Sequence, residues 1–174
     1  MKSADTPTLV LQRVVLPAVL AFAQVAGTLA AQNDQPDRDP VDALAIGLLL
    51  AGPAAFVVLR RHVVALAATV MAVTLVYVAA GYPYGPIFIS VAVSLFLVVR
   101  EGKRMEAWAI AGVGFVAAVA THVWFDHDPH QTWVHAAAVA GWLIAVLVVA
   151  DIVRVRAERL RETARRQTSE ERLR

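Results

Sequence analysis

The residues whose types could do chemistry are concentrated in one short stretch, THVWFDHDPHQTWVH, at positions 121–135. Its histidines and aspartates are His122, Asp126, His127, Asp128, His130 and His135. Neutral imidazole is a good ligand for zinc, copper and nickel, so a divalent metal site is one interpretation of this density. The same imidazoles could instead titrate at about pH 6–7 and respond to acidity outside the cell.

The spacing of these residues indicates which of them could meet. His122 and Asp126 are four residues apart, so they would share one face at the end of a helix. His127 and His130 fall in the following turn, and His135 falls in the first turn of the next helix. No spacing here matches a recognised metal signature, and the interpretation that we favour is a polar loop at a membrane surface. Metal binding and pH sensing stay open as hypotheses for the same five residues.

An apolar segment lies on each side of this stretch, and the overall composition is that of a membrane protein. Apolar residues make up 59% of the chain, against about 45–50% in a soluble protein, and the mean hydropathy is +0.61. Charge is crowded into positions 154–174, whereas long stretches elsewhere carry none. The composition therefore predicts an integral membrane protein with a polar tail.

The cysteine count and the isoelectric point each bound the function. The chain has no cysteine, which excludes disulfides, thiol switches and thiolate metal sites. An isoelectric point near 9.4 is typical of nucleic-acid-binding proteins, but a membrane protein reaches it by holding basic residues on the cytoplasmic side. We favour the second explanation and expect no direct contact with nucleic acid.

Six apolar segments are candidates to cross the hydrocarbon core of a bilayer, which is about 30 Å thick and takes roughly 20 helical residues. They span positions 11–31, 41–59, 62–80, 85–99, 105–125 and 133–153. The connections between them are short, which favours antiparallel hairpins. The sequence therefore predicts an all-α integral membrane protein with six transmembrane helices.

The connections between these segments alternate in charge. The basic connections contain Arg60, Arg61, Arg100, Lys103 and Arg104. If both termini are cytoplasmic, Arg38 is the only one of the 16 lysine and arginine residues on the far side, as the positive-inside rule requires. We therefore predict a multi-pass protein of the plasma (inner) membrane with cytoplasmic N- and C-termini.

The first span has a rival interpretation as a cleaved signal sequence. The small residues before Ala31 resemble a cleavage site. The apolar stretch is long for a signal sequence, and Arg13 fits a cytoplasmic anchor, so we favour a retained span. Cleavage would leave five spans with the same two faces.

Ionisable residues are missing from the centre of every predicted span. Ion-coupled transporters usually need such groups along the substrate path, so this pattern argues against ion-coupled transport. A membrane enzyme would need a buried acid–base cluster or a nucleophile, and the sequence offers neither. We assign no catalytic residue.

The last span continues without proline or glycine into the tail DIVRVRAERLRETARRQTSEERLR. Asp151 stands at its start, and Val153, Leu160 and Ala164 form an apolar seam among arginines and glutamates. The seam is too poor for a coiled coil that is stable alone. It still predicts a continuous helix that leaves the membrane and contacts lipid headgroups with its arginines.

Four motifs give the chain a resemblance to a known family. They are LLLAGPAAFVVLRR closing the second span, YVAAGYPYGP between the third and fourth, REGKR after the fourth, and the tail ending in SEERLR. The chain resembles the N-terminal transmembrane sensor region of actinobacterial two-component sensor histidine kinases, of the subclass that pairs with LuxR-type response regulators. It departs from that family at His62 and Val63, where a proline often follows the arginines.

The resemblance implies a cytoplasmic N-terminus at 1–10, a six-helix sensor domain at 11–153, and a cytoplasmic linker helix at 154–174. The linker would lead toward a dimerisation and phosphoacceptor domain, and Asp151, Val153, Leu160 and Ala164 would transmit the signal to it. The parent protein would be a histidine kinase that uses ATP and Mg²⁺, forms a homodimer and phosphorylates a cytoplasmic response regulator. The chain itself lacks phosphoacceptor and ATP-binding segments, so we expect it to hold no cofactor and to be inactive alone.

Two functions from different classes therefore remain. The favoured one is a membrane sensor and signal-transmission module of a histidine kinase. The alternative is a free-standing six-span protein, such as a small transporter, a channel or a scaffold. The tail discriminates between them, because a transporter has no need of a long helix that continues from its last span.

Overall fold

The computed structural model describes residues 14–36, 38–125 and 129–172, and within these ranges the chain forms six helices and no strand. The helices are α1 (Leu16–Gln32), α2 (Ala43–Val58), α3 (Val63–Ala79), α4 (Phe88–Arg100), α5 (Arg104–Phe125) and α6 (Pro129–Arg172). The predicted all-α class is confirmed for this part of the chain. The fourth helix begins three residues later than predicted, and the sixth begins four residues earlier and continues through the predicted linker.

The helix ends follow from particular residues. Asp42 precedes α2 and caps it, since its Oδ1 accepts a hydrogen bond from the Ala45 N–H at 2.8 Å. Gly81, just after α3, and Gly102, just after α4, have φ values of +80° and +88°. Side chains rarely adopt that left-handed region, so these two glycines end their helices in the way that C-terminal glycines commonly do.

Short connections make consecutive helices antiparallel and divide the bundle into two ends. The long-loop end carries the connections 33–42 and 80–87, and the basic end carries the connections 59–62 and 101–103. α1 packs on α2, α2 on α3, α3 on α4 and α5, α4 on α5 and α6, and α5 on α6. The largest buried cluster includes Leu66, Leu95, Val98 and Leu147 and extends to Leu20 of α1 and to Ala55 and Phe56 of α2. A smaller cluster at the long-loop end contains Leu49, Tyr77 and Tyr82.

The outer surface of the helices is largely apolar. Phe22, Val113 and Trp133 are 76%, 70% and 74% exposed. Two helices, α5 and α6, are long and apolar enough to cross a membrane, over Arg104–Thr121 and Ala136–Leu160. Only 17% of each of those two segments is buried, so neither resembles a buried core helix of a soluble protein. The other four helices are apolar and have 13 to 17 residues.

Candidate functional site

The histidine-rich stretch that dominates the sequence lies largely outside the described residues. Asp126, His127 and Asp128 fall in the undescribed connection between α5 and α6. His122 belongs to α5, and His130 and His135 belong to α6, but their side chains also lie outside the description. No group of three metal-ligating side chains occurs among the residues that the structure does describe. Metal binding and pH sensing at this stretch stay predictions.

An apolar cavity lies between α3, α4, α5 and α6 in the described part of the chain. Its volume is about 270 Å³, and it extends from Tyr84 at the long-loop end to Met71 in α3. Its remaining lining residues are Thr74, Leu75, Val78, Phe88, Val91, Gly114, Ala118, Ala138, Val139, Trp142 and Leu143. The hydroxyl of Thr74 donates to the Val70 carbonyl at 2.9 Å, so this polar group is already satisfied by its own helix. The cavity therefore suits an apolar occupant.

A row of aromatic rings leads from the long-loop end to α6 along this cavity. The guanidinium carbon of Arg38 lies 4.2 Å from the centre of the Tyr84 ring, a cation–π arrangement. The Tyr84 and Phe88 ring centres are 6.4 Å apart, and those of Phe88 and Trp142 are 5.8 Å apart in an edge-to-face pair. Apolar and cation–π contacts thus connect a loop cation with the last helix.

A polar junction lies on the other side of α4, where α1 and α2 pack. Gln24 of α1 is 1% exposed, and its Nε2 donates to the Ser90 hydroxyl of α4 and to the Ile87 carbonyl. The Gln24 Oε1 and the Thr28 Oγ1 are buried without a hydrogen-bond partner in the described structure. Gly52 of α2 faces the same point, since a Cβ there would lie 3.7 Å from Ser90 Oγ. Pro53, the next residue, removes one backbone hydrogen bond from α2 at this point.

The two long connections bind each other through side-chain amides. Gln35 forms a paired contact with Tyr84: its Nε2 donates to the Tyr84 carbonyl at 2.9 Å, and its Oε1 accepts from the Tyr84 N–H at 2.8 Å. The Asp39 N–H donates to the Gly81 carbonyl at 3.2 Å. The Tyr77 hydroxyl donates to the Pro83 carbonyl at 3.1 Å. The segment 81–86 is thus a hydrogen-bonded part of the bundle, in which Tyr82 and Pro83 are buried.

Asp42 and Tyr82 form a second link between the same connections. The Tyr82 hydroxyl donates to Asp42 Oδ1 at 2.8 Å. The hydrogen bonds from the Ala45 N–H and from Tyr82 hold the pKa of Asp42 below its usual value. The bond to the Asp42 carboxylate raises the pKa of Tyr82 above that of a free tyrosine. This link is therefore strongest with an ionised aspartate and a neutral tyrosine.

Two glycines allow the 80–87 connection to approach α1. A Cβ on Gly27 would lie 2.5 Å from Cγ of Pro86, and a Cβ on Gly85 would lie 2.3 Å from Oγ1 of Thr28. Real Cβ atoms do not approach other atoms that closely, so both positions exclude a side chain. By contrast, nothing lies within 4 Å of a Cβ on Gly47 or Gly141. Gly27 and Gly85 therefore mark a close contact between α1 and this connection, which Gly47 and Gly141 do not.

The basic residues on which the predicted membrane topology depends lie together at the basic end. Arg60 and Arg61 lie between α2 and α3, and Arg100, Lys103 and Arg104 surround the turn between α4 and α5, all exposed. A Cβ on Gly102 would come within 3.7 Å of the guanidinium of Arg154 in α6. Arg154 also donates to Glu158 at 2.8 Å, one turn further along. The α4–α5 turn therefore touches α6 where that helix leaves the bundle.

The predicted transmission residues lie on the part of α6 around and beyond Arg154. Asp151 is half-buried, whereas Val153 and Leu160 are 44% and 71% exposed. Ala164 lies in the helix, and its side chain is outside the described residues. Val153 and Leu160 therefore present apolar side chains that no described residue covers.

Comparison with known proteins finds no matching family model, no similar curated protein and no similar solved structure.

Proposed function

We propose that the chain is the membrane sensor and signal-transmission module of a two-component histidine kinase. The observation that carries the proposal is the course of α6. One unbroken helix of 44 residues lines the cavity through Val139, Trp142 and Leu143 and continues to Arg172. A change in what fills the cavity would therefore act directly on the helix that leaves the bundle.

The proposal includes six spans of the plasma (inner) membrane, with both termini in the cytoplasm. Two observations support this placement. The outer surface of the helices is largely apolar, and one end of the bundle carries the basic residues Arg60, Arg61, Arg100, Lys103 and Arg104. Arg38 is the single basic residue of the sequence assigned to the opposite end.

The shortness of α4 fits this placement. Its 13 residues rise about 20 Å, which is less than the thickness of a bilayer core, so part of the 80–87 connection would lie at membrane depth. Irregular backbone is tolerated there only when protein satisfies its polar groups. Gln35 and Tyr77 do this for Tyr84 and Pro83.

A homodimer follows from the face that α6 leaves uncovered. Val146, Val153 and Leu160 recur every seven residues, which is the spacing of a two-helix seam. Val146 also lines a shallow groove between α4 and α6, about 440 Å³ in volume, together with Phe96 and Val149. Groove and seam lie on one side of α6, so a second copy could pair with both. By the family resemblance, the parent protein would then use ATP and Mg²⁺ and phosphorylate a response regulator.

Cysteine cross-linking of α6 tests the transmission proposal, because the native chain has no cysteine. Single cysteines at Val153, Ala157 and Leu160 should give cross-linked dimers. Cysteines at Val155 and Glu162, on the opposite face of the same helix, are the matched controls and should cross-link weakly. Absence of cross-links at every position would refute the paired output helix and favour the free-standing alternative.

Labelling from one side of the membrane tests the orientation. A membrane-impermeant maleimide added to intact cells should label a cysteine at Asp34 and should label one at Arg156 only after permeabilisation. Labelling of Arg156→Cys in intact cells would place the tail outside, where it could not reach a cytoplasmic kinase.

A further inference from the structure

The cavity among α3–α6 has the dimensions of a slot for one hydrocarbon chain. Its lining runs from Met71 to Val78 along α3, a rise of about 10 Å at 1.5 Å per residue. A volume of about 270 Å³ over that depth leaves a narrow cross-section. Because carbon atoms pack at about 3.5–4 Å from each other, one extended hydrocarbon chain fits this space. The space also exceeds the roughly 150 Å³ that holds a benzene ring in a dry protein cavity.

A cation stands at the mouth of the slot, since Tyr84 lines the cavity and Arg38 stacks on the ring of Tyr84. The next residue along the chain, Asp39, is exposed and lies against Gly81, with Oδ2 3.3 Å from the position of a Cβ there. A headgroup with one positive and one negative charge matches this adjacent cation and carboxylate better than a purely anionic one.

We propose that the cavity binds one acyl chain of a phosphatidylethanolamine molecule from the lipid leaflet at the long-loop end. The phosphate would pair with Arg38, and the primary ammonium, which has three hydrogen-bond donors, would face Asp39. A quaternary choline lacks those donors, and a glycerol headgroup lacks the positive charge. The inference deepens the proposed function and rests on it, because the bound lipid would be the stimulus or cofactor of the sensor.

The lipid would reach the slot sideways. The cavity is only partly enclosed, and the flanking helices α5 and α6 present exposed apolar residues such as Val116 and Val134. A chain entering between these helices would exchange lipid contacts for contacts with Phe88 and Trp142. Binding would thus change the distance between α5 and α6 at the end of the bundle opposite to the tail.

Native mass spectrometry of the full-length protein tests the proposal. The protein is extracted from vesicles that contain equal parts of phosphatidylethanolamine, phosphatidylcholine and phosphatidylglycerol. One retained phosphatidylethanolamine per chain is expected, with about tenfold preference over the other two. Phosphatidylethanolamine with a brominated acyl chain gives the location of the lipid, because bromine near Trp142 quenches its fluorescence. The measurement uses a protein in which Trp108, Trp124 and Trp133 are replaced by phenylalanine.

Two matched pairs of variants assign the contacts. Ala118→Leu fills the cavity from α5 and should lower lipid retention and quenching at least tenfold, whereas Ala120→Leu, exposed on the same helix, should leave both unchanged. If Ala118→Leu does not fold, Val139→Phe fills the slot from α6. Arg38→Gln should abolish the headgroup preference, and Arg60→Gln at the basic end should not.

The outcomes separate this inference from the proposed function. Equal retention by Ala118→Leu and Ala120→Leu, or a preference for phosphatidylglycerol or a free fatty acid, would overturn the inference. Paired tails without a retained lipid would also overturn it while leaving the sensor role in place. A retained lipid without tail pairing would refute the sensor role and support the lipid site.

Discussion

The two sides of α4 are built from different interactions. Towards α1 and α2, Gln24, Gln35 and Tyr82 make hydrogen bonds to other elements of the bundle. Towards α5 and α6, Phe88 and Trp142 make ring contacts, and a cavity of about 270 Å³ remains. Hydrogen bonds are directional, and a buried polar group that loses its partner is costly, so the first side has one favourable arrangement. The apolar side has no such constraint and can repack.

Under the proposed sensor function, this difference predicts which half of the molecule would move. A sensor needs two packings that differ by a few kcal/mol and that the stimulus binds unequally. The hydrogen-bonded half, α1, α2 and the long connections, would be the frame that stays constant. α6 would be the part that shifts, because it packs on α4 and α5 through aliphatic and aromatic side chains around a cavity.

The largest expected effect on stability is at Gly27, which we compare with Gly114 because a Cβ on either glycine would approach a neighbouring side chain equally closely. A Cβ on Gly27 would meet the Pro86 ring, and a Cβ on Gly114 would meet the Met71 sulfur, each at 2.5 Å. The proline ring belongs to the frame and is rigid, whereas the methionine is flexible and borders the cavity. Gly27→Ala should lower the free energy of unfolding by about 1–3 kcal/mol, and Gly114→Ala by clearly less.

Gly47→Ala is the control for this pair, since nothing lies within 4 Å of the new Cβ. It should be neutral or stabilise by up to about 1 kcal/mol. Equal losses for Gly27→Ala and Gly114→Ala in detergent unfolding curves would show that both halves are equally rigid.

A second comparison concerns partnered and unpartnered hydroxyls in the polar junction. Ser90→Ala would leave the Gln24 amide with only a 3.5 Å contact to the Ile87 carbonyl, and should cost about 1–2 kcal/mol of unfolding free energy. Thr28→Val removes a buried hydroxyl that has no described partner, and should change stability little. A loss as large as that of Ser90→Ala would show that Thr28 has a partner, such as a bound water.

A third variant tests the pairing of the long connections. Gln35→Ala removes both hydrogen bonds to Tyr84 and should cost about 1 kcal/mol, since the site is half-buried. Asn33→Ala, exposed nearby, is the control and should have no measurable effect. Because Tyr84 also lines the cavity, Trp142 fluorescence should shift in Gln35→Ala. A shift of equal size in Asn33→Ala would contradict the role of Gln35.

The smallest expected effect is a pH dependence at the long-loop end. The pKa of Asp42 is lower in the folded chain, so its contribution to stability is present above the ordinary aspartate pKa of 3.8 and is lost as pH falls through the folded value. The pKa of Tyr82 is raised, so its contribution is present below 10.0 and is lost as pH rises through the folded value. In thermal unfolding, Tyr82→Phe should remove the alkaline loss. An alkaline loss that persists in Tyr82→Phe would assign it to another group.

Much of the fold could be predicted from the sequence, because apolar segments and glycines mark the helices and their ends. The course of α6 through the predicted linker followed from the absence of proline and glycine after the last span. The start of α4 was placed too early because Tyr82–Pro86 reads as an apolar stretch with turn residues. Its backbone is held instead by Tyr77, six residues away, and by Gln35, 49 residues away in sequence.

The cavity and the polar junction could not be predicted in the same way. Gln24 and Thr28 are polar residues four apart in an apolar span, and that signal alone marks one helix face. Their juxtaposition with Ser90 and Gly85 depends on packing between segments about 60 residues apart. The cavity is a property of four helices together, and no local pattern encodes it. The sequence drew attention to the histidines, whose side chains lie outside the described structure.

The unbroken course of α6 also has a mechanical consequence. Arg154 lies beside the turn at Gly102, which is where the helix would pivot. From Arg154 to Arg172 the helix continues for 18 residues, or about 27 Å, so a tilt of about 5° would displace its far tip by about 2 Å. Because the arm beyond the pivot is longer than the 12 residues between Trp142 and Arg154, a small adjustment beside a lipid chain would be larger at the tip of the tail.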